Sequence, residues 1–232
     1  MGVLMYESKV RLISYTQPSD EMYSDQIKDI QDLVAYCARV SNPDNQHNTE
    51  TSENLIKYLI KNKHWSPLEM VSACLEITTT RDIARQILRH RSFSFQEFSQ
   101  RYADPTKSLN FVLREARFQD DKNRQNSIEF DVENRQHTFL QYQFENLQKN
   151  LTYYANEYYQ WAMEKGLAKE TARAMLPEGL MESRIYMSGT LRSWVHYIDL
   201  RSSNGTQKEH REIAIKCSEV LSKIFPMIEN DI

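Results

Sequence analysis

Between Met70 and Leu88 the apolar residues change period without an intervening loop. Val71, Ala73, Leu75 and Ile77 alternate, and after Thr80 the apolar positions Ile83, Ile87 and Leu88 fall at helical spacing. Alternation marks a half-buried strand and steps of three or four mark a helix, so a strand hands over directly to a helix at Thr80. This junction constrains the fold more than any other segment. Val10–Tyr15 alternates as a further strand, and Arg184–Ser188 reads as another. Helices are expected over Asp25–Arg39, around Leu55–Ile60, over Lys169–Leu176 before Pro177, and over Thr190–Arg201. In the last of these Leu191, Trp194, Val195 and Ile198 face inward, with Arg192 and His196 opposite. His64-Trp65-Ser66-Pro67-Leu68-Glu69 has the form of a capping box opening a short helical turn. Thr206 with Glu209 has the same form ahead of a final helix.

The longest helix is expected over about 130–165. Leu140, Phe144, Leu147, Leu151, Tyr154, Tyr158 and Trp161 repeat in steps of four and three until Gly166, a seam that faces either the core or another subunit. The polar stretch 117–134 ahead of it reads as a mobile surface excursion and a poor candidate for chemistry. The expectation is an α+β fold: one domain over 1–232, an antiparallel sheet flanked by helices.

Composition excludes several function classes. Glycine is scarce, 5 of 232 residues, and neither G-x-G-x-x-G nor G-x-x-x-x-G-K-[ST] occurs, so no glycine-rich loop holds a phosphate. Cys37, Cys74 and Cys217 are odd in number and widely spaced, which fits neither a disulfide framework nor a C-x-x-C metal site; no metal is expected, and the compartment is expected to be a reducing cytoplasm. No apolar run approaches the roughly 20 residues of a membrane span. The formal net charge of −3 advertises no nucleic-acid or membrane partner for the chain as a whole.

Local charge says more. From Arg81 to Arg101 five arginines face two carboxylates, Asp82 and Glu97, a local balance of +3. Arg85 and Arg89, four apart, would share one helical face, and Arg91 and Arg101 bracket the stretch S-F-S-F-Q-E-F-S. Guanidinium forks grip phosphate oxygens in pairs and can stand in for a glycine loop. A solvated basic face paired with acidic residues elsewhere would carry the same spacing.

Arg89-His90-Arg91, followed by seven residues and Ser99, resembles the signature of flavin-dependent thymidylate synthases. The likeness extends to Ala84-Arg85-Gln86, to Arg101-Tyr102 and to the H-x-[ST]-P-x-E form of His64–Glu69. Ala172-Arg173 with Leu176-Pro177, Arg192-Ser193, Leu200-Arg201, and Gln207 with Glu209 follow in the family's order, so the match covers roughly residues 64–211. The resemblance implies that family's fold and a methyltransferase converting dUMP to dTMP, with FAD as cofactor and NADPH and methylenetetrahydrofolate as co-substrates. It also implies a homotetramer with active sites shared between subunits.

By position, dUMP would be held by Gln86, Ile87, Leu88, Arg89, Glu97, Phe98, Ser99, Gln100 and Arg101, with Arg173 and Arg201 reaching in from a neighbouring subunit. FAD would meet Ser66, Arg89, His90, Arg91, Glu97, Thr190, Leu191, Arg192 and His196. His64 would lie on the folate or flavin side. The family's role for Arg201 is catalytic: a permanent cation beside the pyrimidine favours ionisation at ring nitrogen three. No enzyme nucleophile is implied, and no base adjacent to Ser99 is evident in the sequence. The chain departs from the pattern at Gln96, at Thr190, where asparagine is common, and at His210, where an apolar residue is usual. The competing readings are a single-stranded RNA or phosphate-binding module using Phe93, Phe95 and Phe98, and a catalytically degenerate homologue.

Overall fold

In the computed structural model, which describes residues 3–230, the alternating segments pair into one antiparallel sheet. In chain order the elements are β1 (Leu4–Met5), β2 (Lys9–Tyr15), α1 (Asp20–Ser24), α2 (Ile30–Ala38), α3 (Ser52–Lys61), β3 (Ser72–Thr80), α4 (Arg81–Ile87), β4 (Ser94–Glu97) and α5 (Pro105–Ser108). There follow β5 (Val112–Leu113), β6 (Arg117–Gln119), β7 (Ser127–Glu129), α6 (Arg135–Glu164), α7 (Lys169–Ala172), β8 (Glu182–Thr190), α8 (Leu191–Ser202), α9 (Lys208–Leu221) and α10 (Met227–Asn230). The central sheet has the order β2-β3-β8-β4.

The expected junction at Thr80 is present, and it has a counterpart at Thr190, where β8 passes directly into α8. Because β3 and β8 are antiparallel, with Ser72 opposite Thr190 and Thr80 opposite Glu182, the two helices leave from opposite ends of the sheet. Both fold back over the same face: Leu75, Ile77, Ile185 and Met187 pack with Ile83 and Ile87 of α4, Trp194 and Val195 of α8, and Ile213 and Cys217 of α9. Each such side chain contributes roughly 1.5–3 kcal/mol by leaving water. The Trp194 indole N–H donates to the Ala73 carbonyl at 3.1 Å, so the largest core residue buries no unpaired polar atom. Gly189 lets Phe93 lie on β8; a Cβ there would stand 2.5 Å from the ring.

Several local expectations are corrected. The first long helix starts at Ile30 because the Asp29 carboxylate accepts from the N–H groups of Gln31 (2.8 Å) and Asp32 (2.9 Å). Ser66 does not cap; it is the first residue of a 3₁₀ turn, Ser66–Glu69, held by Pro67. Thr206 does not cap α9 either, since Gln207 occupies that place and the Glu209 side chain turns instead to Arg114 and Arg117. The 117–134 segment is no loose excursion: β6 and β7 form an antiparallel hairpin. The helix α6 runs 30 residues from an Asn134 cap, and Gly166 follows it at φ +75. Its buried stripe is Gln148, Thr152, Ala155, Tyr159 and Ala162, one position beyond the seam residues, so the seam from Leu140 to Trp161 faces outward. Among the described residues no helix is long and apolar enough to cross a membrane.

Candidate active site

The two junction helices bring Arg201 and His90 together. Arg201, in the last turn of α8, donates from Nε to Nε2 of His90, just beyond α4, at 2.9 Å. His90 must then be neutral with its proton on Nδ1. Burial, and secondarily the Arg201 charge, push its pKa down to about 4, which keeps that lone pair available. The Tyr197 ring meets the His90 ring edge-on at 4.9 Å. With Nε occupied, the terminal nitrogens of Arg201 are left as a fork with no protein partner among the described residues.

The other arginines divide into two sets. Arg81 is buried and paired with Glu97 (3.5 Å) and Glu178 (3.7 Å), and Arg85 also reaches Glu178 (3.5 Å). Arg101 pairs with Glu170 at 3.3 Å. Lys169 donates to the Tyr102 carbonyl at 3.2 Å, so the segment after Ser99 lies against α7, with Arg173 at the start of the next turn. Arg89, Arg91 and Arg173 keep guanidinium groups with no hydrogen-bond or ion-pair partner among the described residues. Because α4 ends at Ile87, Arg89 lies beyond the helix and does not share a helical face with Arg85, contrary to the spacing.

Around these cations the remaining nucleotide-side residues are placed as follows. Ile87 is wholly buried and Leu88 partly so. Glu97 accepts from the Ser183 hydroxyl at 2.9 Å, and the Phe98 N–H donates to the Arg184 carbonyl at 2.8 Å, which pins the end of β4 beside β8. The Ser99 hydroxyl accepts from the Arg101 N–H at 3.4 Å; no histidine or carboxylate among the described residues bonds it. Gln100 is 3% exposed and its Nε2 has no acceptor among the described residues, a buried donor aimed at no protein group.

The flavin-side residues gather at the start of α8. Arg192 pairs with Glu69 of the 3₁₀ turn that contains the exposed Ser66, and the His196 ring lies 4.4 Å from that of Trp65. Thr190 is the N-cap of α8, its hydroxyl accepting from the Ser193 N–H at 3.3 Å, and Leu191 is buried behind it. The Ser193 hydroxyl donates to the Ser92 carbonyl at 3.3 Å, which joins this helix start to the turn after Arg91. His64 stands apart, exposed and edge-on to Tyr58 at 6.0 Å. Sequence reasoning missed Tyr197, Ser183 and Glu178, which carry no motif, and Arg117, which lay in a segment read as chemically silent.

Residues 21–227 match the family described as thymidylate synthase complementing protein. A probable flavin-dependent thymidylate synthase of Paramecium bursaria Chlorella virus 1 is 48% identical over 218 residues, 94% of this chain and 95% of that protein. The flavin-dependent thymidylate synthase of Synechocystis is 46% identical over 219 residues, 94% and 96% of the two chains. The chain belongs to the flavin-dependent thymidylate synthase family. The architecture agrees: a crystal structure of a UMP/dUMP methylase, PolB from Streptomyces cacaoi, bound with 5-Br dUMP, superposes with a TM-score of 0.78 at 22% identity over 99% of this chain and 96% of that one. The family's fold is therefore the fold described above, with the motif residues distributed over α4, β4, α7 and α8.

Proposed function

We propose that this chain is an active flavin-dependent thymidylate synthase that methylates dUMP to dTMP, with methylenetetrahydrofolate as carbon donor and NADPH as reductant of bound FAD. The observation that carries this reading is the set of uncommitted cations: Arg89, Arg91 and Arg173 lack protein partners among the described residues, and Arg201 offers its terminal fork. In a chain with 32 acidic residues, guanidinium groups left unpaired at the motif positions suit an anionic ligand.

The residues present fit both ligands. The buried, unpartnered Nε2 of Gln100 is a donor for a nucleotide oxygen, with Arg89, Ser99, Arg101 and Arg173 around the phosphate and Gln86, Ile87, Leu88, Glu97 and Phe98 beside the base. Ser66, His90, Arg91, Thr190, Leu191, Arg192 and His196, with Arg89 and Glu97 shared, would hold the flavin, and His64 the folate or flavin side. Reduced FAD, when bound, supplies hydride. The chain's own task is to orient, exclude water and hold charge. Arg201 stabilises the ionised pyrimidine, and His90, neutral and hydrogen-bonded, fixes the plane of that guanidinium. No side chain need become covalent: Ser99 has no base among the described residues, and burial raises the thiol pKa of Cys37, Cys74 and Cys217.

Thr190 uses its hydroxyl within the helix cap, accepting from the Ser193 N–H at 3.3 Å and donating to the Ser193 hydroxyl at 3.2 Å, so in this chain the residue that replaces asparagine orders the start of α8. The RNA-binding reading weakens because Arg81 and Arg85 are paired within the chain. The outward seam of α6 suits contact with further copies of the chain, as a homotetramer requires, and the free cysteines suit a reducing compartment. The test is direct: the purified protein takes up FAD and turns yellow, binds dUMP, and under anaerobic conditions forms dTMP from dUMP, methylenetetrahydrofolate and NADPH. A colourless protein that instead retains oligonucleotide in a salt-sensitive way would overturn the proposal.

A further inference from the structure

His210 is 0% exposed, and its two ring nitrogens are both engaged, Nδ1 with Oε1 of Gln86 (3.4 Å) and Nε2 with the hydroxyl of Tyr197 (3.1 Å). Gln86 continues the line, its Nε2 donating to Oε1 of Gln207 at 2.7 Å, and Gln207 donates from Nε2 to Oε2 of Glu209 at 2.9 Å. Glu209 ends it. Burial opposes that carboxylate's charge, yet Arg114 and Arg117 hold its pKa below the ordinary value, so it is ionised and can only accept. The direction of every bond follows from that end. Gln207 must donate to Glu209, so its oxygen accepts from Gln86. The Gln86 oxygen therefore faces His210, whose Nδ1 must carry the proton, and Tyr197 donates to Nε2.

We propose that His210 is a positioning residue, which by donating from Nδ1 holds the carbonyl end of the Gln86 amide in the orientation that Glu209 and Gln207 set from the other end, one turn before Arg89-His90-Arg91. Gln86 sits in the last turn of α4, and a free amide there could rotate and exchange its N–H₂ for its carbonyl. Anchored at both ends, it presents one fixed pattern to a pyrimidine. Three elements share the device: Tyr197 comes from α8, Gln86 from α4, and the rest from the start of α9. This inference rests on the reading that Gln86 touches the nucleotide, but the bond directions do not.

Two measurements on the full chain separate the two claims. In ligand-free protein labelled with ¹⁵N-histidine, assigned with the help of His210→Asn, His210 is expected as the neutral Nδ1–H tautomer from pH 6 to 8; an Nε2–H tautomer overturns the inference whatever the protein binds. In dUMP titrations, His210→Asn keeps an amide N–H where Nδ1 stood and is expected to bind as wild type does. His210→Gln moves its amide beyond that place, and His210→Leu removes the donor. Both are expected to raise the KM for dUMP about tenfold, the value of one hydrogen bond, with kcat little changed. Equal KM values in all three variants, or loss in Asn with retention in Gln, overturn the inference. Wild-type protein that binds no dUMP overturns the functional reading instead, and the tautomer measurement still decides the bond directions.

Discussion

Arg201 Nε and His90 Nε2, 2.9 Å apart, join the end of α8 to the turn leaving α4, residues 111 positions apart in the chain. The contact exists because antiparallel β3 and β8 launch their helices from opposite ends of one sheet and the helices return over the same face. Arg201→Ala is expected to abolish dTMP formation while far-ultraviolet circular dichroism stays as in wild type. It should also let the His90 pKa rise from about 4, only part of the way to its ordinary value, since burial is the larger cause. Histidine NMR titration reads the second effect, and unchanged turnover would sink the catalytic assignment.

His90 and His210 are both neutral in the folded chain, with pKa values lowered to about 4 and about 3 by burial and by Arg201. The unfolded chain takes up both protons near pH 6.5 and the folded chain does not, so it binds more protons and stability must fall as pH falls through that window. The slope is at most about 1.4 kcal/mol per pH unit for each proton. Urea midpoints between pH 6.5 and 5 should decline, and His210→Leu should flatten the decline. A midpoint independent of pH across that range would contradict both values.

Glu209 is 3% exposed and lies 2.6 Å from Arg117 and 3.5 Å from Arg114. Glu209→Gln removes the carboxylate that Arg114 and Arg117 share, leaving Arg114 with Asp82 and Arg117 with Glu115, and is expected to cost about 1–3 kcal/mol in chemical denaturation. Because Arg117 belongs to β6, the hairpin should also lose amide-exchange protection. A loss below about 0.5 kcal/mol, the size of an ordinary surface change, would show the network to be unimportant.

Gly189→Ala would set a methyl 2.5 Å from the Phe93 ring. The ring must move, at an expected cost of about 1–3 kcal/mol in thermal or urea unfolding, and the turn after Arg91 moves with it. Wild-type stability in this variant would show that Phe93 is loosely held.

The α6 seam exposes Leu147 by 68% and Leu151 by 52%. Wild-type chain is expected to sediment as an assembly of several copies, and the double substitution Leu147→Asp with Leu151→Asp to yield a smaller species with unchanged helix content. A seam variant that sediments as wild type does would exclude this face from the interface.

Much of the fold was legible because burial imposes a period on the sequence. β2, β3, α3 and α8 follow from spacing, while α6 begins after its Asn134 cap, five residues later than expected, and ends just before Gly166. Caps were read poorly, since a serine or threonine in the right place can be outbid by its neighbours, as Ser66 and Thr206 were. The hairpin over Arg117–Glu129 escaped notice because its strands are three residues each, too short for alternation to register. In the site, the arginine-rich motif was visible, but spacing could not tell the paired Arg81 and Arg85 from Arg89 and Arg91, whose guanidinium groups have no partner among the described residues.

By itself the sequence determined the periodic elements, the family and the roster of cations, since each is written in residue type and spacing along one segment. Tertiary structure alone decided which guanidinium groups are neutralised, which stripe of α6 is buried, and that Tyr197, His210, Gln86, Gln207 and Glu209 share one line of hydrogen bonds. The physical reason is distance: a carboxylate or amide supplied from a hundred residues away changes what a side chain can do, yet leaves no trace in the local pattern.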